Sequence, residues 1–231
     1  MLGAAEVDRV YCGSVLVWER NSSPIPEGYT QLNYIESYGE QWIAPQMNVP
    51  DLDDVVRIQT KFAFTYIGSE WQSVVSVNNN DGGSESLYNT YCLYFGYNGS
   101  GGITVKNSYP AGSDSIDASP EISLSVGTDY EADIILGADS TSVVVDGNSF
   151  TSTINRGIEH ALMLFADRPA NNWLYQEFAY AKIYYCRIYV NGALAHELLP
   201  CIRDIDSVIG MYDTVAREFL TNGGTGSFTG G

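Results

Sequence analysis

From Tyr29 onward the sequence is a succession of short runs rich in β-branched and aromatic residues, each closed by Gly, Asn, Asp or Pro. The runs follow one another at roughly the 8–12-residue spacing of all-β sandwiches and barrels, and no stretch beyond a turn or two repeats at the helical period. Arg57 to Tyr66 shows the pattern: Ile58, Thr60, Phe62, Phe64 and Tyr66 share one face, and Arg57, Gln59, Lys61 and Thr65 the other. That alternation predicts an antiparallel strand with one buried side. Further strands are predicted over Trp71–Val77, Leu87–Tyr97, Ile103–Lys106, Ile122–Val126, Tyr130–Leu136, Thr141–Val145, Ser149–Thr151, Ala161–Ala166, Phe178–Val190 and Ala193–Leu199. Phe178–Val190 reads as apolar on both faces, and Asn107–Pro120 as a long polar loop. Asp146-Gly147 and Asn191-Gly192 are hairpin turns, because both central residues of such a turn need positive φ. No sequence repeat points to a propeller or solenoid. A large jelly roll and an unrelated barrel remain, and the pattern favours the jelly roll.

Before this series, Val7–Cys12 and Val15–Trp18 form a separate hairpin across Gly13-Ser14. Residues 1–20 are therefore a small unit, 21–28 a semi-rigid spacer holding Pro24 and Pro26, and 29–231 the main domain. A lone hairpin is marginal in water, so this one is expected to dock onto something else. The tail, Asn222–Gly231, reads as flexible or edge-like.

The 17 tyrosines and 23 glycines suit strands and turns, while Lys plus Arg total 11 against 28 Asp plus Glu. A net charge of −17 excludes nucleic acid and an anionic membrane surface as partners, since both are held by Lys and Arg. No apolar run approaches the roughly 18 residues of a membrane span. Met1–Asp8 lacks a basic segment followed by an apolar one, so no signal peptide is expected there, and the protein is expected to be made in a cytoplasm. Cys12, Cys92, Cys186 and Cys201 form no CxxC pair, and His160 and His196 are the two histidines. That is a poor zinc set, and buried thiols are expected, with Cys186 and Cys201 the one pair near enough to test.

Tyr29-Thr30-Gln31-Leu32-Asn33-Tyr34-Ile35-Glu36-Ser37 resembles the opening of laminin-G-like domains in phage and prophage structural proteins. Ala181–Tyr189, Asn191-Gly192, Pro200-Cys201, Ile209–Asp213 and Phe219–Asn222 resemble the same group in order and spacing. Val10-Tyr11-Cys12-Gly13-Ser14-Val15-Leu16-Val17-Trp18 is similar to a short element of phage virion proteins. The resemblance implies a concanavalin A-like, laminin-G-like jelly-roll β-sandwich on a virion. Its partners would be capsid, tail or fibre proteins, reached through Val10, Tyr11, Val15, Val17 and Trp18, and homo-oligomers are compatible with it.

Enzymatic constellations are absent from the sequence. Sandwich glycoside hydrolases place carboxylates at alternate positions of one strand. Glu131-Ala132-Asp133 begins that pattern, but Ile134, Ile135 and Leu136 follow where a third acid is required. No G-x-S-x-G elbow or phosphate loop occurs. The oxygen-rich stretches Asn78–Asp81 and Asp51, Asp53, Asp54 lack calcium-loop spacing, so no cofactor is expected and a structural calcium is the minor alternative. Glycan binding needs an aromatic platform with amide partners, which Trp71, Tyr94, Asn98, Asn171, Asn172 and Trp173 supply. The expected function is a non-enzymatic virion protein (capsid decoration, head fibre or tail component); the alternatives are an adhesin for host or mucosal polysaccharide and, behind it, a glycoside hydrolase.

Overall fold

The structure is a computed structural model that describes residues 9–12, 15–19, 24–45, 47–49, 54–78, 91–108, 116–118, 122–137, 140–152, 160–166 and 177–231. Of residues 9–12, 15–19, 48–49, 78, 91–92, 106–108, 116–118, 152 and 160–161 it describes the backbone alone.

Every regular element among the described residues is a strand. β1 (Arg9–Cys12) and β2 (Val15–Glu19) form a sheet of their own, with Cys12 opposite Val15. Next in the chain are β3 (Tyr29–Gln31), β4 (Ile35–Tyr38), β5 (Asn48–Val49), β6 (Val56–Phe64), β7 (Trp71–Asn78), β8 (Tyr91–Asn98), β9 (Ile103–Ser108) and β10 (Ile116–Ala118). The remainder are β11 (Tyr130–Leu136), β12 (Thr141–Val145), β13 (Asn148–Ser152), β14 (His160–Leu164), β15 (Tyr180–Val190), β16 (Ala193–Arg203), β17 (Val208–Asp213), β18 (Glu218–Leu220) and β19 (Thr229–Gly230). They build a six-stranded sheet in the order β10-β9-β8-β7-β14-β5 and an eleven-stranded sheet along β13-β12-β11-β6-β15-β16-β17-β18. β3 joins the larger sheet through β16, and β4 and β19 join it beside β15. All of these pairings are antiparallel.

One apolar core fills the space between the sheets. β11 buries Tyr130, Ala132, Ile134 and Leu136 at every second position, as a period of two requires. β6 does the same with Val56, Ile58, Thr60, Phe62 and Phe64. Phe62 links the layers: its ring meets Phe95 of the smaller sheet edge-on at 5.6 Å and stacks on Tyr130 at 5.8 Å. Asp146-Gly147 (φ 46° and 82°) and Asn191-Gly192 (φ 49° and 81°) turn with both residues at positive φ, as their sequence predicts.

Several expectations are corrected. Tyr66 is exposed rather than inside, because β6 ends at Phe64 and the Thr65 N–H turns to the Tyr180 carbonyl at 2.8 Å. Phe178 is half-buried, tied to Ser73 by a single parallel bridge ahead of β15. β15 is not apolar on both faces: Ala181, Ile183, Cys186 and Ile188 enter the core, while a bulge after Ile183 leaves both Tyr184 and Tyr185 half-exposed. On that outer face Lys61 lies 4.8 Å from the Tyr184 ring centre and Arg187 5.0 Å from that of Tyr185. The supposed loop 107–120 contains the end of β9 and all of β10, and Ile122–Val126 contributes one bridge, Ser123 to Gly102, instead of a strand. Of the two forms expected for the tail, the edge-like one holds: Phe228 is buried 5.3 Å from the Phe165 ring, and β19 pairs with β4 at the sheet's edge. In the expected spacer, Ile25 is buried with Leu199, Cys201 and Tyr212 in a satellite cluster.

Cys186 and Cys201 are free thiols. They lie on opposite faces of the larger sheet, Cys186 in the main core and Cys201 in the satellite cluster, so no bridge can join them. Burial pushes their thiols up to about 12 and about 11, which keeps them as inert thiols near neutral pH. The side chains of Cys12 and Cys92 lie outside the described residues.

Candidate functional site

β7 and β8 pair so that Trp71 faces Asn98, Ser73 faces Gly96 and Ser76 faces Tyr94. Their intervening residues Val75, Val77, Leu93 and Phe95 enter the core. The first set therefore occupies the outer face of the six-stranded sheet. The register shifts between Ser73 and Val75, and this bulge brings the Gln72 carbonyl so close to Gly96 that a Cβ there would lie 1.9 Å away. Gly96 is thus required by the bulge.

Trp71 is half-buried and meets the Tyr94 ring at 5.7 Å and 67°. Tyr94 is itself fully buried, and its hydroxyl donates to the Tyr97 carbonyl at 3.1 Å. It serves as the wall behind Trp71 rather than as an open platform. Asn98 accepts the N–H groups of Ser100 (2.8 Å) and Gly102 (3.1 Å) on its Oδ1, which fixes the following turn. Between these residues the Ser73 hydroxyl is buried without a hydrogen-bond partner. Three residues predicted from the sequence thus share one patch. Asn171, Asn172 and Trp173 lie outside the described residues, as do the side chains of Val10, Tyr11, Val15, Val17 and Trp18.

The carboxylates Glu131 and Asp133 lie instead on the outer face of the larger sheet, in an open depression of about 240 Å³ that Gln59, Asp146 and Tyr185 also line. Arg57 grips Asp133 through two hydrogen bonds, from Nε at 2.8 Å and from a terminal nitrogen. Those bonds hold the Asp133 carboxyl below the usual carboxylate range. Such a group stays ionised and is a poor proton donor, the opposite of what glycosidic cleavage asks of its general acid. Of the possible calcium stretches, the described part is Asn78, by its backbone, and Asp54, whose Oδ1 accepts the Asn191 amide at 2.5 Å. Among the described residues no group of three or more His, Cys, Asp and Glu is gathered as metal ligands would be.

His196, one of the two histidines in the sequence, belongs to a part-buried network. Its Nδ1 lies 2.5 Å from Oδ2 of Asp213, and Asp213 Oδ1 accepts the N–H groups of Val215 (3.0 Å) and Ala216 (3.1 Å). Sequence reasoning also passed over the exposed tyrosines Tyr66, Tyr180 and Tyr38. The signal for Tyr66 and Tyr38 was the glycine one or two residues beyond each.

Two facing antiparallel sheets with this core make the chain a concanavalin A-like jelly-roll sandwich. It is similar to the CBM40 of the Ruminococcus gnavus IT-sialidase, bound to α2,3-sialyllactose, at 13% identity over 71% of this chain and 92% of that one, with a TM-score of 0.51. A heptameric SAP-like pentraxin from Limulus polyphemus matches at 9% identity over 69% of this chain and 74% of that one, with a TM-score of 0.47. The family 7 alginate lyase A1-II′ matches at 10% identity and a TM-score of 0.47 over 60% of this chain and 63% of its own, so the chain spans less than two thirds of that enzyme's length. At these identities the likeness is one of fold. No protein-family model and no curated protein matches the sequence.

Proposed function

We propose that this chain is a non-enzymatic glycan-binding jelly-roll module that binds carbohydrate at the Trp71–Asn98 patch. The observation that carries the reading is that residues distant in sequence meet there: an indole braced by Tyr94, an amide directly across the ladder, and an unpartnered buried hydroxyl at Ser73. A rigid aromatic with a few placed polar groups is the composition of a small-molecule site. The sandwich of the R. gnavus module, bound to a sialylated sugar, lends the same fold to that use. Arg57 engages both oxygens of Asp133, which supports a binding role over a hydrolytic one because the carboxylate is already taken. In a glycan-array screen of the full chain, wild type is expected to bind saturably and Trp71→Ala to lose at least about tenfold in affinity, the scale of one aromatic contact. Unaltered binding by Trp71→Ala would remove the patch from consideration.

The particle context is a second element of the proposal: the module is displayed on a phage virion by its N-terminal hairpin. What supports it is that β1 and β2 pair with each other and with neither sheet of the sandwich, as an attachment element would. Deleting residues 1–20 is expected to abolish incorporation into particles while leaving a folded sandwich. A truncated protein recovered in purified particles at the normal level refutes the anchor.

A further inference from the structure

At one end of the sandwich three tyrosines stand out of the surface. Tyr66 is 56% exposed, Tyr38 48% and Tyr180 37%. The Tyr66 and Tyr180 rings meet at 5.3 Å and 66°, and Tyr38 is the cross-strand neighbour of Tyr180 between β4 and β15. We propose that this tyrosine shelf is a second carbohydrate site and that it takes an uncharged pyranose, a hexose or N-acetylhexosamine. The proposal rests on the glycan-binding reading above and adds both a site and a ligand class to it.

The rings are placed rather than loose. A Cβ on Gly39, which sits at φ 87°, would lie 2.4 Å from the Tyr180 ring, and one on Gly68 would lie 2.8 Å from the Tyr66 ring. Each ring therefore rests on bare backbone, and any side chain at either glycine would lift it. Beneath the shelf, Gln72 is buried and holds the backbone of both tyrosines: its Nε2 donates to the Tyr66 carbonyl at 3.1 Å and its Oε1 accepts the Tyr180 N–H at 2.9 Å. The Tyr97 hydroxyl donates to the Gly68 carbonyl at 2.8 Å, and the Tyr38 hydroxyl is hydrogen-bonded to that of Thr229 at 2.8 Å. Aromatic groups held this way lose little freedom when a ligand arrives, which is how rigid tyrosines serve in recognition. The electron-rich face of a phenol ring attracts the slightly positive C–H face of a pyranose. Three rings cover far less than the roughly 800 Å² per partner of a stable protein interface, so a sugar ring fits the shelf better than a protein does.

Charge selects the class of sugar. Glu40 adjoins Gly39, and its carboxylate accepts the Thr225 hydroxyl at 2.7 Å; Glu70 follows Gly68 by two residues, and Glu177 precedes Tyr180 by three. The nearest cation on β15, Lys182, is held over the Tyr34 ring at 4.0 Å. Carboxylates accept hydroxyl donors from a neutral sugar and repel a sialate or uronate, and the overall charge of −17 repels it at longer range. Trp71 and Gln72 are successive residues of β7 and point to opposite faces, so the shelf above Gln72 is separate from the Trp71 patch.

The test is an array of neutral glycans (galactosides, glucosides, N-acetylglucosaminides) and anionic ones (sialylated and uronate-bearing), read with the full chain. It compares wild type, Tyr66→Ala/Tyr180→Ala, Tyr66→Phe/Tyr180→Phe and Trp71→Ala. The double alanine variant is expected to lose at least tenfold in affinity for neutral glycans with an unchanged melting temperature, and the phenylalanine variant to keep most of it. Neutral-glycan binding that depends on Trp71 and ignores the tyrosines would overturn the shelf and leave the first patch standing. Binding that depends on the tyrosines and survives Trp71→Ala would uphold the shelf while removing the patch. Tyrosine-dependent binding of anionic glycans alone would overturn the ligand class, and silence across the array would overturn both sites.

Discussion

Phe62→Ala is expected to destabilise the fold by about 3–5 kcal/mol, the range for removing a fully buried aromatic side chain. Total stabilities of native domains are about 5–15 kcal/mol, so this one change removes a large share. The site has little means of closing the hole. Phe62 is fully buried, and its ring touches Phe64 at 5.7 Å, Phe95 at 5.6 Å and Tyr130 at 5.8 Å, so three other rings lose a packing partner at once. Two of those neighbours are fixed by the ladder of the larger sheet and the third by that of the smaller. Denaturant unfolding of the purified variant measures the loss, with a shift in melting temperature of roughly 10 °C for a chain of this length. Phe62→Leu keeps most of the volume and is expected to recover more than half. A loss below about 1 kcal/mol for Phe62→Ala would mean that the two sheets do not meet through this cluster.

Asp213→Ala is expected to cost about 1–3 kcal/mol, the penalty for leaving buried hydrogen-bonding groups without their partner. Asp213 is 2% exposed, and its carboxylate serves His196 on one oxygen and the Val215 and Ala216 N–H groups on the other. Its loss strands the two N–H groups at the turn that joins β17 to β18 and the His196 ring on β16. The pH dependence follows from the same contacts. Burial pushes the Asp213 carboxyl up, but the His196 bond and the two N–H groups outweigh it and set it below the ordinary value. A carboxyl lowered in the folded state adds stability above the unfolded value, near pH 4, and that stability is lost as pH falls through the folded value. Wild type is therefore expected to weaken below about pH 4, and Asp213→Asn to show a flatter acid limb. An Asp213→Asn variant whose acid limb overlays wild type would show that the pair does not set it.

Features of the fold whose cause is local were readable from the sequence. Asp146-Gly147 and Asn191-Gly192 specify their turns by themselves, since few other pairs accept two positive φ angles. Tyr130–Leu136 alternates cleanly because one of its faces is packed and the other wet. Features set by neighbours were not. Whether Tyr66 points in or out depends on where β6 stops, which the carbonyl of Tyr180, more than a hundred residues away, decides. β15 misled because tyrosine counts as apolar in a pattern yet, beside Lys61 and Arg187, makes a half-wet surface. The site was legible in part. Trp71 and Asn98 stood out as residue types, but their meeting depends on a bulge at Ser73 that no residue of β7 announces. The shelf needed Gly39 brought under Tyr180, a contact across most of the chain.

The order in which strands are used has a consequence for how the molecule comes into being. β6 lies between β11 and β15, and β4 between β15 and β19, so the middle of the larger sheet is woven from segments far apart in the chain. During synthesis the ribosome delivers β4 and β6 long before β15 exists. Until then their inner edges have no lasting partner and the cluster around Phe62 stays open. Non-local pairing of this kind makes folding slow and late, because loop closure must precede the contacts that reward it. Sequence-neighbouring strands such as β7-β8-β9 and β11-β12-β13 can pair early, while the open edges of β4 and β6 wait, and there the excess of carboxylates works to a different end: mutual repulsion disfavours pairing between growing copies before each has its own β15.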